Sequence, residues 1–328
     1  MKYRPLLVSA IGLALLALDS CERDPAATRR RYPFQLDWPD RRPIGQLLLA
    51  RCDTRWKGNP RGWFNDKTLD LFGKTGQIDF ERRLNQYVEQ SIAFLTKLGA
   101  QGVIVWDLEG EELPQPSATF AGDPRLLGRL APEMNAAADN FFKQFTSRGF
   151  RAGVCIRPQH IVFDGVRRYH QEEYWLDADS IFRELNEKIN YAQRRWGCQL
   201  FYIDSNFGPL NLGLYDVSVF RRLQSEHPDS LLIPEFENEA YFSCTAPYYR
   251  FNDHERWPGT RMLSSQAVAS YPNSFSVINC ADADFAGLSS LLLDSVKRGD
   301  IFLFRCWWPS PEISGIEAIY QRKSGDGS

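Results

Sequence analysis

Apolar residues along this 328-residue chain recur at two spacings that take turns. Leu84, Tyr87, Val88, Ile92 and Leu95 fall three and four apart, which predicts an amphipathic helix with Asp79 as N-cap and Gly99 as its stop. The stretch 102–109 that follows is short, rich in β-branched residues and polar at its end. The phrase then returns. Pro132 opens a helix carrying Met134, Ala137, Ala138, Phe141, Phe142 and Phe145, Gly149 ends it, and a strand is expected over 152–159. A helix over 180–196 stops at Gly197 before 200–204, and another over 288–297 stops at Gly299 before 301–305. Proline fits a first helical turn, where its missing N–H costs nothing, and glycine past a helix end supplies the left-handed turn toward the next strand. Runs at 46–53, 231–237 and 275–279 bring the strands to seven, with an eighth expected within 248–265. Alternating helices and strands predict a parallel sheet with both faces covered. Eight such units over roughly 285 residues predict the α/β class and a single (β/α)8 TIM barrel over 43–320. An open doubly wound sheet is the rival, but no glycine-rich dinucleotide fingerprint accompanies the strands.

In such a barrel the active site lies at the C-terminal strand ends, and here those ends collect charge. Asp53, Trp106, Asp107, Glu109, Arg157, Asn206, Asn279, Asp282, Arg305 and Trp307 are the expected ligand-binding residues. Burying so many carboxylates without a partner or a task is costly. Several acids, a few arginines and several indoles together describe a carbohydrate cleft. Carboxylates bond sugar hydroxyls, and indole faces pack on the apolar faces of pyranose rings. Glycosidic cleavage needs two carboxyl groups flanking the bond, one of them with a raised pKa. Asp204, closing an apolar strand, is the expected nucleophile, with Glu237 as acid/base and Glu235 as its alternative. In a retaining enzyme the pair would stand about 5–5.5 Å apart.

The run Phe201-Tyr202-Ile203-Asp204-Ser205-Asn206 resembles the fourth-strand motif of the α-galactosidase (melibiase)-like superfamily of (β/α)8-barrel retaining α-glycosidases. The resemblance implies that Asp204 is the nucleophile and that the substrates are α-linked sugars. The family usually carries Lys two residues before that Asp, where this chain has Tyr202. Its acid/base is an Asp on the sixth strand, which maps onto Asp253 as a rival to Glu237.

The first residues stand apart from the repeat. Lys2 and Arg4 precede an apolar run at 6–18 that is too short for a comfortable membrane span and reads as a secretory signal. Leu18-Asp19-Ser20-Cys21 resembles the lipobox of bacterial lipoproteins, which implies cleavage before Cys21 and a lipid on its sulfur. Arg29-Arg30-Arg31 follows the apolar run and so is not a twin-arginine signal. The expected layout is a signal peptide over 1–20, a Pro/Arg-rich tether over 21–42, the barrel, and a disordered tail over 321–328. Cys52, Cys155, Cys198, Cys244, Cys280 and Cys306 sit mostly in apolar runs and read as buried thiols. His160, His170, His227 and His254 are scattered, so neither a metal nor another cofactor is expected. A net charge of −2 without a basic, aromatic face leaves nucleic acid off the expected partners. The reading is an exported, membrane-anchored lipoprotein that hydrolyses an oligo- or polysaccharide. Its rival is a non-catalytic glycan-binding lipoprotein on the same scaffold.

Overall fold

The computed structural model describes residues 36–110, 120–163, 169–172, 177–208, 213–250, 269–281 and 283–325. Cys21 and the signal segment, Asp253, His254 and Asp282 lie outside them, as do the side chains of Cys52 and His170. Eight parallel strands surround one lumen. In chain order they are β1 (Ile44–Leu47), β2 (Gly102–Val105) and β3 (Arg151–Ile156), then, past an antiparallel hairpin of β4 (His160–Phe163) and β5 (Tyr169–Glu172), β6 (Leu200–Ile203), β7 (Leu231–Pro234), β8 (Tyr248–Arg250), β9 (Val277–Asn279) and β10 (Ile301–Arg305). Pairing follows the order β7-β6-β3-β2-β1-β10-β9-β8. The ring closes where the Ala246 N–H, just before β8, meets the Leu232 carbonyl of β7 at 3.0 Å. The chain is a (β/α)8 barrel.

Helices α1 (Gly76–Lys97), α2 (Leu127–Leu130), α3 (Pro132–Thr146), α4 (Ala178–Trp196), α5 (Val217–Glu226), α6 (Ser289–Arg298) and α7 (Pro311–Gly325) belong to the outer layer. Strand side chains alternate between the two sides. Val103, Val105, Phe201, Ile203, Leu232, Phe302 and Phe304 pack against the helices. Ile104, Trp106, Cys155, Tyr202, Ile233, Tyr248, Val277 and Leu303 fill the lumen. Gly197 and Gly299 cap α4 and α6 in the left-handed conformation, at φ 68° and 103°.

The boundaries differ from expectation at three places, each for a physical reason. Helix α1 begins at Gly76, and Asp79 sits inside it, accepting a hydrogen bond from the Thr75 hydroxyl at 2.8 Å. The barrel begins before residue 43. Leu36 and Trp38 are buried in the lumen cluster, and the Trp38 indole N–H donates to Gln101 at 3.1 Å while the Arg151 guanidinium lies 4.9 Å from its ring. Two apolar residues flanking Asp37 are too few to show a period. The last helix runs to Gly325, past the expected start of the tail, with Ile313, Ile316 and Ile319 buried at helical spacing.

Candidate active site

On six of the strands the inward alternation continues to the C-terminal end. Arg157 follows Cys155 by two residues, Asp204 follows Tyr202, Glu235 follows Ile233, Arg250 follows Tyr248, Asn279 follows Val277 and Arg305 follows Leu303. The alternation therefore sets a polar rim on an apolar lumen. Below it the Trp106 and Tyr202 rings lie 4.2 Å apart with their planes tilted by 35°, and Tyr248 meets Tyr202 edge-on at 5.3 Å.

Asp204 and Glu235 stand at the ends of adjacent strands and are bridged by Ser205, which donates its hydroxyl to the first and its N–H to the second. Glu235 is held well above the usual carboxylate range, first by burial and then by the Asp204 charge, while the Ser205 N–H and Arg157 oppose the shift.

Ser205 ties the pair to its surroundings. Its φ of 55° is left-handed, a conformation that costs a residue with a Cβ about 1–2 kcal/mol. Its N–H donates to Glu235 at 2.8 Å, its hydroxyl donates to Asp204 at 2.8 Å, and that hydroxyl accepts from Arg157 at 2.8 Å. The Arg157 Nε stands 4.0 Å from the Asp204 carboxylate, which gives the acid a positive neighbour. Gln159 donates to the Ser205 carbonyl at 3.2 Å.

The other expected site residues divide by what their polar atoms do. Glu109 is buried with neither carboxylate oxygen hydrogen-bonded to another residue, and burial pushes its pKa up to about 8, opposed by its own amide and by Lys188 and reinforced by Asp123 and Asp107. Like Asp204, Glu235 and Arg157, it bears electrostatically on the Cys155 thiol in the lumen, which burial above all pushes up. Asn279 donates to the Tyr248 hydroxyl at 2.6 Å and accepts from the Ala281 N–H at 2.8 Å. Trp106 is part of the lumen floor. Arg305 and Trp307 flank Trp308 on the rim, the guanidinium 5.8 Å and the indole 5.1 Å from its ring.

Four expectations meet a different arrangement. Asp107 is wholly buried, and its oxygens accept from the Leu49 and Ala50 amides at 2.6–2.9 Å. It follows the outward-facing Val103 and Val105, so alternation turns it toward the neighbouring chain end rather than the lumen. Asn206 is also wholly buried, exchanging hydrogen bonds with the Phe236 backbone at 2.9 and 2.8 Å. It clasps the ends of β6 and β7. Asp53 is exposed and paired with Arg51 at 2.7 Å. Glu237 lies beside Tyr249, a residue of the outer layer, because the chain turns at Glu235 and Phe236 once Pro234 has ended β7. Glu235 shares the Ser205 bridge with Asp204.

Sequence reading gave Ser205 and Gln159, polar residues at strand ends, no role in the site, and it missed Lys188. Lys188 carried a usable signal, since it shares the buried helix face of Leu185, Ile189 and Ala192. Among the described residues no group of three or more His, Cys, Asp and Glu side chains is placed to hold a metal ion. Shallow cavities of about 340 Å³ beside Arg83 and Tyr87 and about 430 Å³ between Leu98 and Tyr320 lie on the helical layer, away from these acids.

No family model matches the sequence, and no curated protein matches it. Solved structures do resemble the fold. An α-amylase from Malbranchea cinnamomea superposes with a TM-score of 0.50 over 87% of this chain and 77% of its own, at 11% identity. A sulfoquinovosidase from E. rectale, solved with an aza-sugar inhibitor, superposes with a TM-score of 0.52 at 9% identity, over 89% of this chain. The present chain spans 48% of that enzyme's length. At such identities the likeness is one of fold, and the fold these enzymes share with the chain is the (β/α)8 barrel.

Proposed function

We propose that the chain is a retaining glycoside hydrolase acting on an α-linked oligo- or polysaccharide outside the cytoplasm. The observation that carries the reading is the Asp204–Glu235 pair, bridged by Ser205 on the rim of an aromatic lumen. Glu235 gives its proton to the glycosidic oxygen as that bond breaks, and Asp204 attacks the anomeric carbon to form a glycosyl ester. Glu235, now ionised, takes a proton from water as the water oxygen displaces Asp204, which restores both acids. Arg157 and the Ser205 hydroxyl hold Asp204, and the Ser205 N–H holds Glu235. The aromatic floor of Trp106, Tyr202 and Tyr248 offers the apolar faces a pyranose ring packs on. The fold similarity to an α-amylase and a sulfoquinovosidase agrees with this chemistry.

Glu235→Gln tests the assignment. It removes the proton donor, so hydrolysis of glycosides with poor leaving groups should fall about 10²–10⁴-fold. Aryl glycosides with activated leaving groups need little protonation and should cleave at rates close to those of the parent. Equal losses on both classes would remove Glu235 from the acid/base role and return Glu237 and Asp253 to consideration.

The same proposal anchors the protein by a lipid on Cys21. Cys21→Ser should move it from membrane pellets to the soluble fraction, because acyl burial supplies the attachment. A variant that stays in the pellet would overturn the anchor and leave the site untouched.

A further inference from the structure

The turn after β3 is held from below by a helix. Lys188 of α4 is wholly buried, and its Nζ donates to the carbonyls of Arg157 at 2.7 Å and Gln159 at 2.8 Å. The ammonium stands 3.1 Å from Glu184 and 3.7 Å from Asp123. Asp123 is in turn gripped by Arg125, which also bonds Glu184. Lysine is rarely buried completely, and two of its three donors are spent here on main-chain oxygens. Those oxygens belong to the two residues whose side chains grip Ser205, Arg157 at its hydroxyl and Gln159 at its carbonyl. Ser205 adopts a conformation that its Cβ disfavours, and such a conformation persists only where the surroundings impose it.

We propose that Lys188 and Gln159 are positioning residues. Through the Arg157–Gln159 turn they hold Ser205 left-handed, with its amide on Glu235 and its hydroxyl on Asp204. Neither residue touches the reacting atoms. The chain of contacts runs from a helix of the outer layer, through one turn, to both acids of the site. If the turn loosens, Ser205 relaxes toward an extended conformation and withdraws two donors that favour the ionised acids. Burial and mutual charge then act on the pair with less opposition. The groups facing the pair are Arg157 and Cys155 from β3 and its turn and Tyr202 from β6, with Glu109 acting on Cys155 and Tyr248 on Tyr202 behind them. Those facing Lys188 are Asp123, Glu184 and Glu109.

The relay deepens the proposed function, since it rests on Asp204 and Glu235 being the reacting pair. Its test needs no substrate, so failure of the relay and failure to hydrolyse glycosides are separate results. The full chain, carrying carbon-13 at its Asp and Glu carboxyls, is titrated by NMR, with the pair's signals assigned through Glu235→Gln and Asp204→Asn. Gln159→Leu removes no charge. It should raise the upper midpoint of the pair by about one pH unit and move the Ser205 amide coupling away from its left-handed value. Lys188→Met should move both in the same direction. An unchanged midpoint and coupling in Gln159→Leu overturns the relay, even if Lys188→Met raises the midpoint, because removing a cation does that through charge alone. Should Lys188→Met fail to fold, Gln159→Leu decides by itself.

Discussion

Asp204→Asn is expected to lower glycoside turnover on the order of 10⁴-fold or more while leaving ligand binding nearly intact. The amide keeps the shape of the acid and accepts from the Ser205 hydroxyl as the carboxylate did. It cannot form the glycosyl ester. It also removes the like charge beside Glu235, whose pKa should move down toward the ordinary range. Both effects are readable on one variant, by steady-state rates on chromogenic glycosides and by carboxyl NMR. Full turnover would sink the nucleophile assignment. A protein that binds glycans tightly while neither parent nor variant hydrolyses any of them would be a binding protein on a barrel scaffold.

The second large effect is on stability. Folded Glu109 keeps its proton up to about pH 8, whereas in the unfolded chain it ionises near the ordinary 4.5. Between those values the folded state binds the extra proton, so stability is fully present below pH 4.5 and is lost as pH rises toward 8. The slope is about 1.4 kcal/mol per pH unit, a total on the order of 5 kcal/mol. Glu109→Gln places a neutral group there at every pH. Its urea midpoint should match the parent at pH 5 and exceed it clearly at pH 8 and above. Parallel curves for the two proteins would show that Glu109 ionises normally in the fold. Its orphaned oxygens, wholly buried beside the lumen, cost stability that a purely structural residue would not.

The legible part of the sequence was its period. The helices ending at Gly99, Gly149, Gly197 and Gly299, and the strands following them, stand where the apolar spacing placed them. Asp204 was visible because it closes a run of four buried residues. What alternation alone could not decide was where each strand ends. Glu235 and Glu237 share a parity on paper, yet Pro234 is the last residue of β7, and past it the chain bends, with Glu235 on the Ser205 amide and Glu237 acting on Tyr249. Asp107 looked like a site residue for its charge, while its outward parity assigned it to the backbone of Leu49 and Ala50. The left-handed Ser205 leaves no trace in sequence, because nothing but its contacts imposes that conformation. Asn206 fits the family motif by position, and here it serves as a clasp on Phe236. Leu36 and Trp38 lay within a stretch that composition marked as tether, and their burial in the lumen cluster shows only in the fold.

The central claim is that Asp204 attacks the sugar, and a covalent trap tests it most directly. The protein is incubated with the 2-deoxy-2-fluoro glycosyl fluoride of whichever sugar it hydrolyses, digested, and read by peptide mass spectrometry. A fluoroglycosyl ester on Asp204, absent from Asp204→Asn, is the expected result. Hydrolysis of the parent glycoside with no adduct on Asp204, or with the adduct on another carboxylate, would contradict the account.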